Sequence, residues 1–192
     1  MTLREQKRWD TSHRITVCAQ QLTLEHGLDG FTMDDLAEAA EVSRRTLFNY
    51  FPSKTDAVLG AAPEVPDSQV DRFRSGGPHG NLVDDLAELA RAALAVQQPD
   101  RRSIELSRRV LAKEPRLLAA AHERFEAITL EFTDLVLERE GADFGASRAR
   151  LMLRLVLALF DVALVALVDD DSDRTLVDVF DEQLREARAL FA

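Results

Sequence analysis

One short segment of this acidic chain is locally cationic. The 192 residues carry a formal net charge of −10 at pH 7, yet Ser43 to Lys54 contains three basic side chains and no acidic one. Arg44 and Arg45 open the segment and Lys54 closes it. Since arginine forms bidentate hydrogen bonds with guanine and ion pairs with phosphate, this segment can bind nucleic acid despite the overall charge.

The segment overlaps a predicted helix-turn-helix at residues 32–51. Thr32 can cap a first helix, with Asp35 where a capping-box acid belongs, and Ser43 can cap a short second helix that Pro52 ends. Such helices cross at a steep angle, and the second can enter the DNA major groove. The apolar positions that would bury the inner faces of both helices are Leu36, Ala37, Val42, Leu47 and Phe51.

Polar side chains remain for the outer face, and we expect Phe48 to lie in the core. Asparagine can read adenine, while threonine and tyrosine hydroxyls and helix N-termini bind phosphate oxygens. Lys54 falls in the first turn of its helix, which is unfavourable for a cation, and a phosphate contact would explain it. The predicted DNA-binding residues are Thr32, Ser43, Arg44, Arg45, Thr46, Asn49, Tyr50 and Lys54.

Two dense runs of residues surround this motif. They are Gly27-Leu28-x-x-Phe31-Thr32-Met33-Asp34-Asp35-Leu36-Ala37-x-Ala39-Ala40 and Val42-Ser43-Arg44-Arg45-Thr46-Leu47-Phe48-x-Tyr50-Phe51-Pro52-Ser53-Lys54. In these runs, and over about a quarter of the chain in all, the sequence resembles the TetR family of one-component transcription regulators. Glu41 departs from that family, which usually has glycine in this turn, and it adds backbone strain and an acid near DNA.

The resemblance implies a complete architecture. It implies a three-helix DNA-binding domain, placed at residues 9–69, and a helical effector-binding and dimerisation domain at residues 81–192. It also implies a homodimer, joined through its last two helices, that represses transcription from a palindromic operator. A small-molecule effector then releases the DNA. Separately, the charged N-terminus without an apolar stretch predicts a cytoplasmic protein. A helical protein-binding adaptor is the alternative function.

Composition and periodicity independently predict an all-α fold with about nine helices. Leucine and alanine recur throughout, aromatic residues make up only 6% of the chain, and no stretch predicts a strand. Ala62 to Gly80 is rich in proline and glycine, which favours a connector or mobile loop. After four N-terminal helices we expect five longer ones at Asn81–Val96, Arg101–Lys113, Pro115–Glu140, Ser147–Val168 and Ser172–Phe191, with Asn81, Ser147 and Ser172 as caps.

The helix near Leu151–Val168 is apolar on nearly all sides and is expected to be covered on most of them. With the final helix it can form a four-helix bundle across a two-fold axis, or it can belong to a monomer core. Arg154 and Asp161 interrupt it, and as buried charges they need partners, across a dimer or in a ligand cavity.

A mostly apolar ligand is expected among the helices between Arg101 and Val168. Their side chains would give an apolar pocket with a few orienting polar groups, although a filled core has the same composition. The predicted ligand-binding residues are Arg109, His122, Phe125, Met152 and Asp161.

Catalytic, cofactor and metal functions are not indicated. The chain lacks a glycine-rich phosphate loop, a G-x-S-x-G elbow and an H-E-x-x-H motif. His122 and Glu126 have metal-ligand spacing but no third ligand, so we expect no metal and no enzyme activity. Cys18, the single cysteine, is expected to be a small core residue. No signal peptide or membrane partner is expected.

Overall fold

The computed structural model describes residues 3–62, 64–97, 101–169 and 173–191. These residues form ten α-helices and one short 3-10 helix at Ala142–Phe144, without a strand, which confirms the all-α prediction. The helices are α1 (Leu3–His26), α2 (Met33–Ala39), α3 (Arg44–Tyr50), α4 (Lys54–Leu59), α5 (Asp67–Arg74), α6 (Leu82–Gln97), α7 (Arg101–Lys113), α8 (Pro115–Glu140), α9 (Ala146–Asp169) and α10 (Leu176–Phe191).

Two helix starts differ from those predicted. Ser147 lies inside α9 and is not its cap. The helix α10 starts after Thr175, whose hydroxyl accepts a hydrogen bond from the Asp178 N–H, and the Asp178 carboxylate accepts one from the Thr175 N–H. The predicted cap Ser172 lies outside the described residues.

The described residues divide into two compact units. Unit 1 contains residues 3–62 and 101–123, and unit 2 contains residues 64–97, 124–169 and 173–191. These boundaries differ from the predicted domains because α7 and the first turns of α8 belong with α1 to α4.

Unit 1 is built around α1. Ile15 and Ala19 are fully buried, and the core that contains them includes Leu36, Leu47 and Val58 from the next three helices. Residues of α7 and α8 join the same core. Cys18 packs half-buried against it, and burial is the main cause of its raised thiol pKa.

Buried polar contacts also hold unit 1 together. The Gln20 amide is 3% exposed and donates hydrogen bonds to the Val58 carbonyl and the Ser107 hydroxyl, each at 2.9 Å. Because one side chain links α1 with α4 and α7, it fixes all three relative to one another. The Lys113 ammonium, at the end of α7, donates to the Leu24 carbonyl near the end of α1.

Unit 2 has a buried ion pair beside its apolar core. The Asp85 carboxylate is fully buried and lies 2.6 Å from the guanidinium of Arg139, which stacks on the Phe73 ring. Asp85 also accepts a hydrogen bond from the His79 N–H at 2.7 Å, and Arg139 donates to the Gly76 carbonyl. The segment predicted as a connector or mobile loop therefore contains α5 and is bonded to α6 and α8.

The helix α9 is more exposed than its composition predicts. Four of its side chains are buried, namely Ala149, Leu153, Ala163 and Leu167. Leu151, Leu155 and Val162 are 60%, 48% and 47% exposed, so the prediction that α9 is covered on most sides is wrong for a single chain. By length and mean hydropathy of 2.5, α9 is also the one helix among the described residues that could cross a membrane.

The two charges on α9 are likewise exposed, which corrects their predicted burial. Arg154 forms an ion pair with Glu126 of α8 at 2.8 Å. The final helix, α10, was predicted to form part of a dimer bundle. Inside unit 2 of a single chain, four of its apolar side chains are already buried, namely Leu176, Val179, Phe180 and Leu184.

Candidate nucleic-acid interface

A capping box starts α2. The Thr32 hydroxyl accepts a hydrogen bond from the Asp35 N–H at 3.2 Å, and the Asp35 carboxylate accepts one from the Thr32 N–H at 2.7 Å. That backbone bond, followed by the bond from the Thr32 hydroxyl, holds the pKa of Asp35 below its usual value. The predicted cap is thus confirmed, and it sets the position at which α2 begins.

The turn between α2 and α3 is a Schellman motif. The Glu41 N–H donates to the Glu38 carbonyl and the Val42 N–H to the Ala37 carbonyl, both at 3.0 Å. Glu41 has a φ of 52°, the one positive value among the described non-glycine residues. This left-handed conformation is the one in which glycine ends helices without strain.

The recognition helix α3 exposes most of its side chains. Ser43 caps it by accepting a hydrogen bond from the Thr46 N–H at 3.0 Å, and Leu47 is its buried residue. Arg44, Arg45 and Asn49 are exposed, whereas Thr46 and Tyr50 are half-buried. The helix therefore presents a polar outer face, as the sequence predicts.

Phe48 lies on this outer face instead of in the core. Its side chain is 43% exposed, which corrects the prediction, and the Arg44 guanidinium lies 5.6 Å from its ring centre. A signal for this was present in the sequence, because Phe48 directly follows Leu47, the buried residue of α3, and adjacent residues of a helix point about 100° apart. An exposed aromatic ring beside arginines can contact the thymine methyl group in a major groove.

The two arginines of α3 differ in their partners. Arg44 is ion-paired with Asp34 of α2 at 3.1 Å, and both side chains are well exposed. Arg45 has no hydrogen bond or ion pair to any residue in the described ranges. Arg45 is thus available to DNA without breaking a contact, whereas Arg44 must exchange a carboxylate for a phosphate or a base. Asp34 was not among the predicted site residues.

Lys54 has a partner within the chain. Its ammonium donates a hydrogen bond to the Phe31 carbonyl at 2.7 Å and lies 5.0 Å from the Phe31 ring centre. This contact explains why a cation is tolerated in the first turn of α4, where the helix dipole disfavours it. It also holds the start of α4 beside the start of α2. A phosphate contact of Lys54 stays a prediction.

The net negative charge of the chain belongs to the unit that does not contain this site. The sequence ranges of unit 1, residues 1–62 and 100–123, hold thirteen basic and thirteen acidic side chains. Those of unit 2 hold eleven basic and twenty-one acidic ones. The unit that contains the helix-turn-helix is therefore neutral, and the whole net charge of −10 belongs to the other unit.

The predicted ligand-binding residues do not share one environment. Arg109, His122, Phe125 and Asp161 are exposed, and Met152 is half-buried against the core of unit 2. Unit 1 contains an open cleft of about 370 Å³ between α1 and α7, and none of the five residues lines it. The ligand site stays a prediction.

The comparisons with known proteins agree with the helix-turn-helix. Residues 15–59 match the family described as bacterial regulatory proteins, tetR family. The mycofactocin biosynthesis transcriptional regulator MftR of Mycobacterium tuberculosis (strain ATCC 25618 / H37Rv) is 44% identical over 48 residues, 25% of this chain and 24% of that protein. The HTH-type transcriptional regulator TcmR of Streptomyces glaucescens is 25% identical over 147 residues, 73% of this chain and 65% of that protein.

A third similarity has a different name. The small ribosomal subunit protein uS9 of Mycolicibacterium smegmatis (strain ATCC 700084 / mc(2)155) is 36% identical over 80 residues, 38% of this chain and 53% of that protein. The two regulators and the family match agree with each other and with the residues of α2 and α3. The aligned region spans about a quarter of MftR and about two thirds of TcmR.

The fold and the site define a DNA-binding protein of the helix-turn-helix class. Its N-terminal helix-turn-helix, residues 15–59, matches the family of bacterial regulatory proteins named tetR, and two relatives of this chain are named as transcriptional regulators.

Proposed function

We propose that this chain is a cytoplasmic homodimeric repressor that binds a palindromic operator and leaves it when a small, mostly apolar ligand binds. The observation that carries the DNA-binding half is the outer face of α3. It presents Arg44, Arg45, Phe48 and Asn49 to solvent from a helix whose start and turn are fixed by hydrogen bonds.

Within this face the residues have different roles. Arg45 and Asn49 read base edges, because they are exposed side chains that form bidentate hydrogen bonds with guanine and adenine. Thr32, Ser43, Thr46, Tyr50 and Lys54 contact phosphates and set the register of the helix in the groove. Arg44 joins either group once it releases Asp34.

A homodimer follows from the number of contacts that binding needs. One helix-turn-helix makes too few for operator affinity, whereas two copies bind half-sites about one helical turn apart. The interface we propose is formed by the last two helices and centred on α9, whose Leu151 and Leu155 are exposed. The buried row of α10 supports α9 from inside the same chain.

Ligand release requires an apolar surface with a few polar groups that orient the ligand. Exposed Phe125 and half-buried Met152 supply apolar surface on α8 and α9, and Arg109, His122 and Asp161 supply polar groups. A ligand releases DNA only if it binds the DNA-incompetent state more tightly than the competent one. Thermal-shift screening of lipophilic metabolites, followed by a gel shift with each hit, tests this half separately.

A gel shift with the promoter region of the chain's own gene tests the DNA-binding half. We expect the wild type to retard this DNA at low salt, and less so as salt rises. Arg45→Ala should weaken the specific complex, while Arg185→Ala, an equal change at an exposed position of α10, should leave it unchanged. A protein-binding adaptor would retard neither specific nor random DNA.

A further inference from the structure

The exposed face of α9 has the spacing of an antiparallel helix pair. Leu151, Leu155, Ala158 and Val162 are all exposed, and their spacing of four, three and four residues places them at successive d, a, d and a positions of a heptad. Such a row packs against a second helix, and a second copy of α9 offers the same row.

An antiparallel arrangement matches this row to itself. If the two-fold axis passes between Val156 and Leu157, Leu155 faces the partner's Ala158 and Leu151 faces the partner's Val162. Each a position then meets a d position, and a large side chain meets a smaller one in the central layer. The layers interdigitate without a gap at the axis.

The two charges on α9 fit the same arrangement. Arg154 and Asp161 directly precede Leu155 and Val162, so both occupy g positions, which flank the apolar row. In an antiparallel pair the g positions of the two helices face each other, and Arg154 meets the partner's Asp161 twice by symmetry. In a parallel pair each g position faces an e position of the partner, so Arg154 and Asp161 would not meet.

Arg154 and Asp161 differ in their contacts within one chain. Arg154 is held by Glu126 of α8 at 2.8 Å, with 59% of its side chain still exposed. Asp161 is exposed and makes no hydrogen bond or ion pair with any residue in the described part of the chain. Its carboxylate is therefore hydrated in the monomer and available to pair with a second copy.

We propose that two copies of α9 pack antiparallel about an axis between Val156 and Leu157, with Arg154 of each copy ion-paired to the partner's Asp161. This inference rests on the homodimer proposed above and adds its register and its selectivity for a second copy of the same chain.

Complementary charge reversal tests the register. Two copies of the Arg154→Asp variant should repel each other, because Asp meets Asp at both contacts. Two copies of the Asp161→Arg variant should also repel each other, because Arg meets Arg at both contacts. Each homodimer should dissociate about a hundredfold more readily than the wild type at low salt. When the two variants are co-expressed with different tags, every contact joins opposite charges, so a heterodimer should form at near wild-type affinity.

Sedimentation of each variant and native mass spectrometry of the co-expressed pair provide the measurements. Arg150→Asp is the matched control, since the same reversal lies at an exposed c position, away from the partner, and should leave the dimer intact. Circular dichroism confirms that each single variant is folded. Formation of the heterodimer would also show directly that both variants fold.

The outcomes separate the register from the dimer. The antiparallel register is wrong if the wild type is a dimer and both charge-reversed variants also remain homodimers. It is also wrong if the two variants, when co-expressed, do not form a heterodimer. In both cases the homodimer itself is still supported. A wild-type monomer at micromolar concentration overturns both. Preferential heterodimer formation supports the register, since no parallel arrangement pairs residue 154 with residue 161.

Discussion

The turn of the helix-turn-helix carries a glutamate in a conformation that favours glycine, and this has two separable consequences. The φ of 52° at Glu41 costs about 1–2 kcal/mol for a residue with a Cβ. Glycine removes this cost but adds conformational entropy to the unfolded chain, worth about 0.4–1 kcal/mol. We therefore expect Glu41→Gly to raise the free energy of unfolding by about 0.5–1 kcal/mol.

The carboxylate of Glu41 acts separately on DNA binding. Glu41 is exposed and lies three residues before Arg44, the first residue of the recognition helix α3, so its charge repels the phosphates that this helix approaches. Removing it should strengthen DNA binding by about two- to tenfold at low salt, with a smaller gain at high salt.

Three substitutions distinguish strain from charge. Glu41→Gln removes the charge and keeps the strain, whereas Glu41→Asn and Glu41→Gly remove both, since asparagine tolerates the left-handed region. Urea unfolding should rank Gly and Asn above Gln and the wild type, while fluorescence anisotropy with operator DNA should rank all three variants above the wild type.

The control for this series is Glu38, an exposed acid of α2, the helix that precedes the turn. Glu38→Gly should destabilise the protein by about 1 kcal/mol, because glycine in a helix interior is unfavourable. The reasoning is refuted if Glu41→Gln stabilises the fold as much as Glu41→Gly does. It is also refuted if none of the three variants changes DNA affinity.

Three further predictions concern other contacts. Asp34→Ala should strengthen DNA binding in anisotropy titrations, because it frees Arg44, and it should barely change stability since the pair is exposed; unchanged affinity would mean that Arg44 does not reach DNA. The pKa of Asp85 is lowered, because its hydrogen bonds and a buried guanidinium outweigh the burial that would raise it. The stabilising contribution of ionised Asp85 is therefore complete above its unfolded-state pKa of 3.8, and it is lost as pH falls through the lower folded-state pKa. Urea unfolding from about pH 5 to about pH 3 should show this loss of unfolding free energy, and the slope of that free energy against pH should be smaller in Asp85→Asn. Leu155→Asp should give a folded monomer by light scattering, whereas buried Val179→Asp should unfold unit 2; a folded dimer from both would move the interface away from α9.

The site could be predicted from the sequence because its structure is local. Thr32 with Asp35, and Ser43 with Thr46, form hydrogen bonds across three residues, so side-chain type and spacing suffice to predict them. The all-α fold follows from periodicity in the same way. Phe48 was misplaced because α3 has two turns, too few for an apolar pattern to determine which side faces inward.

The remaining differences depend on contacts between distant residues. Asp85 and Arg139 are 54 residues apart, and their buried pair orders a segment whose prolines and glycines favour a loop. Sequence periodicity also shows that α9 is apolar but not which side another helix covers. The grouping of α7 with α1 rests on long-range contacts such as that of Gln20 with Ser107.

Selection of binding sites from a random pool of DNA duplexes is the sharpest test of sequence-specific DNA binding by a dimer. We expect the wild type to enrich an inverted repeat with half-site centres about 10 base pairs, or a multiple of this, apart. We expect Arg45→Ala to relax the preference at one base position of each half-site, at a cost of about 1–3 kcal/mol per contact. No enrichment by the wild type, or enrichment of an unrepeated site that Arg45→Ala selects equally well, would rule out this mode of DNA binding.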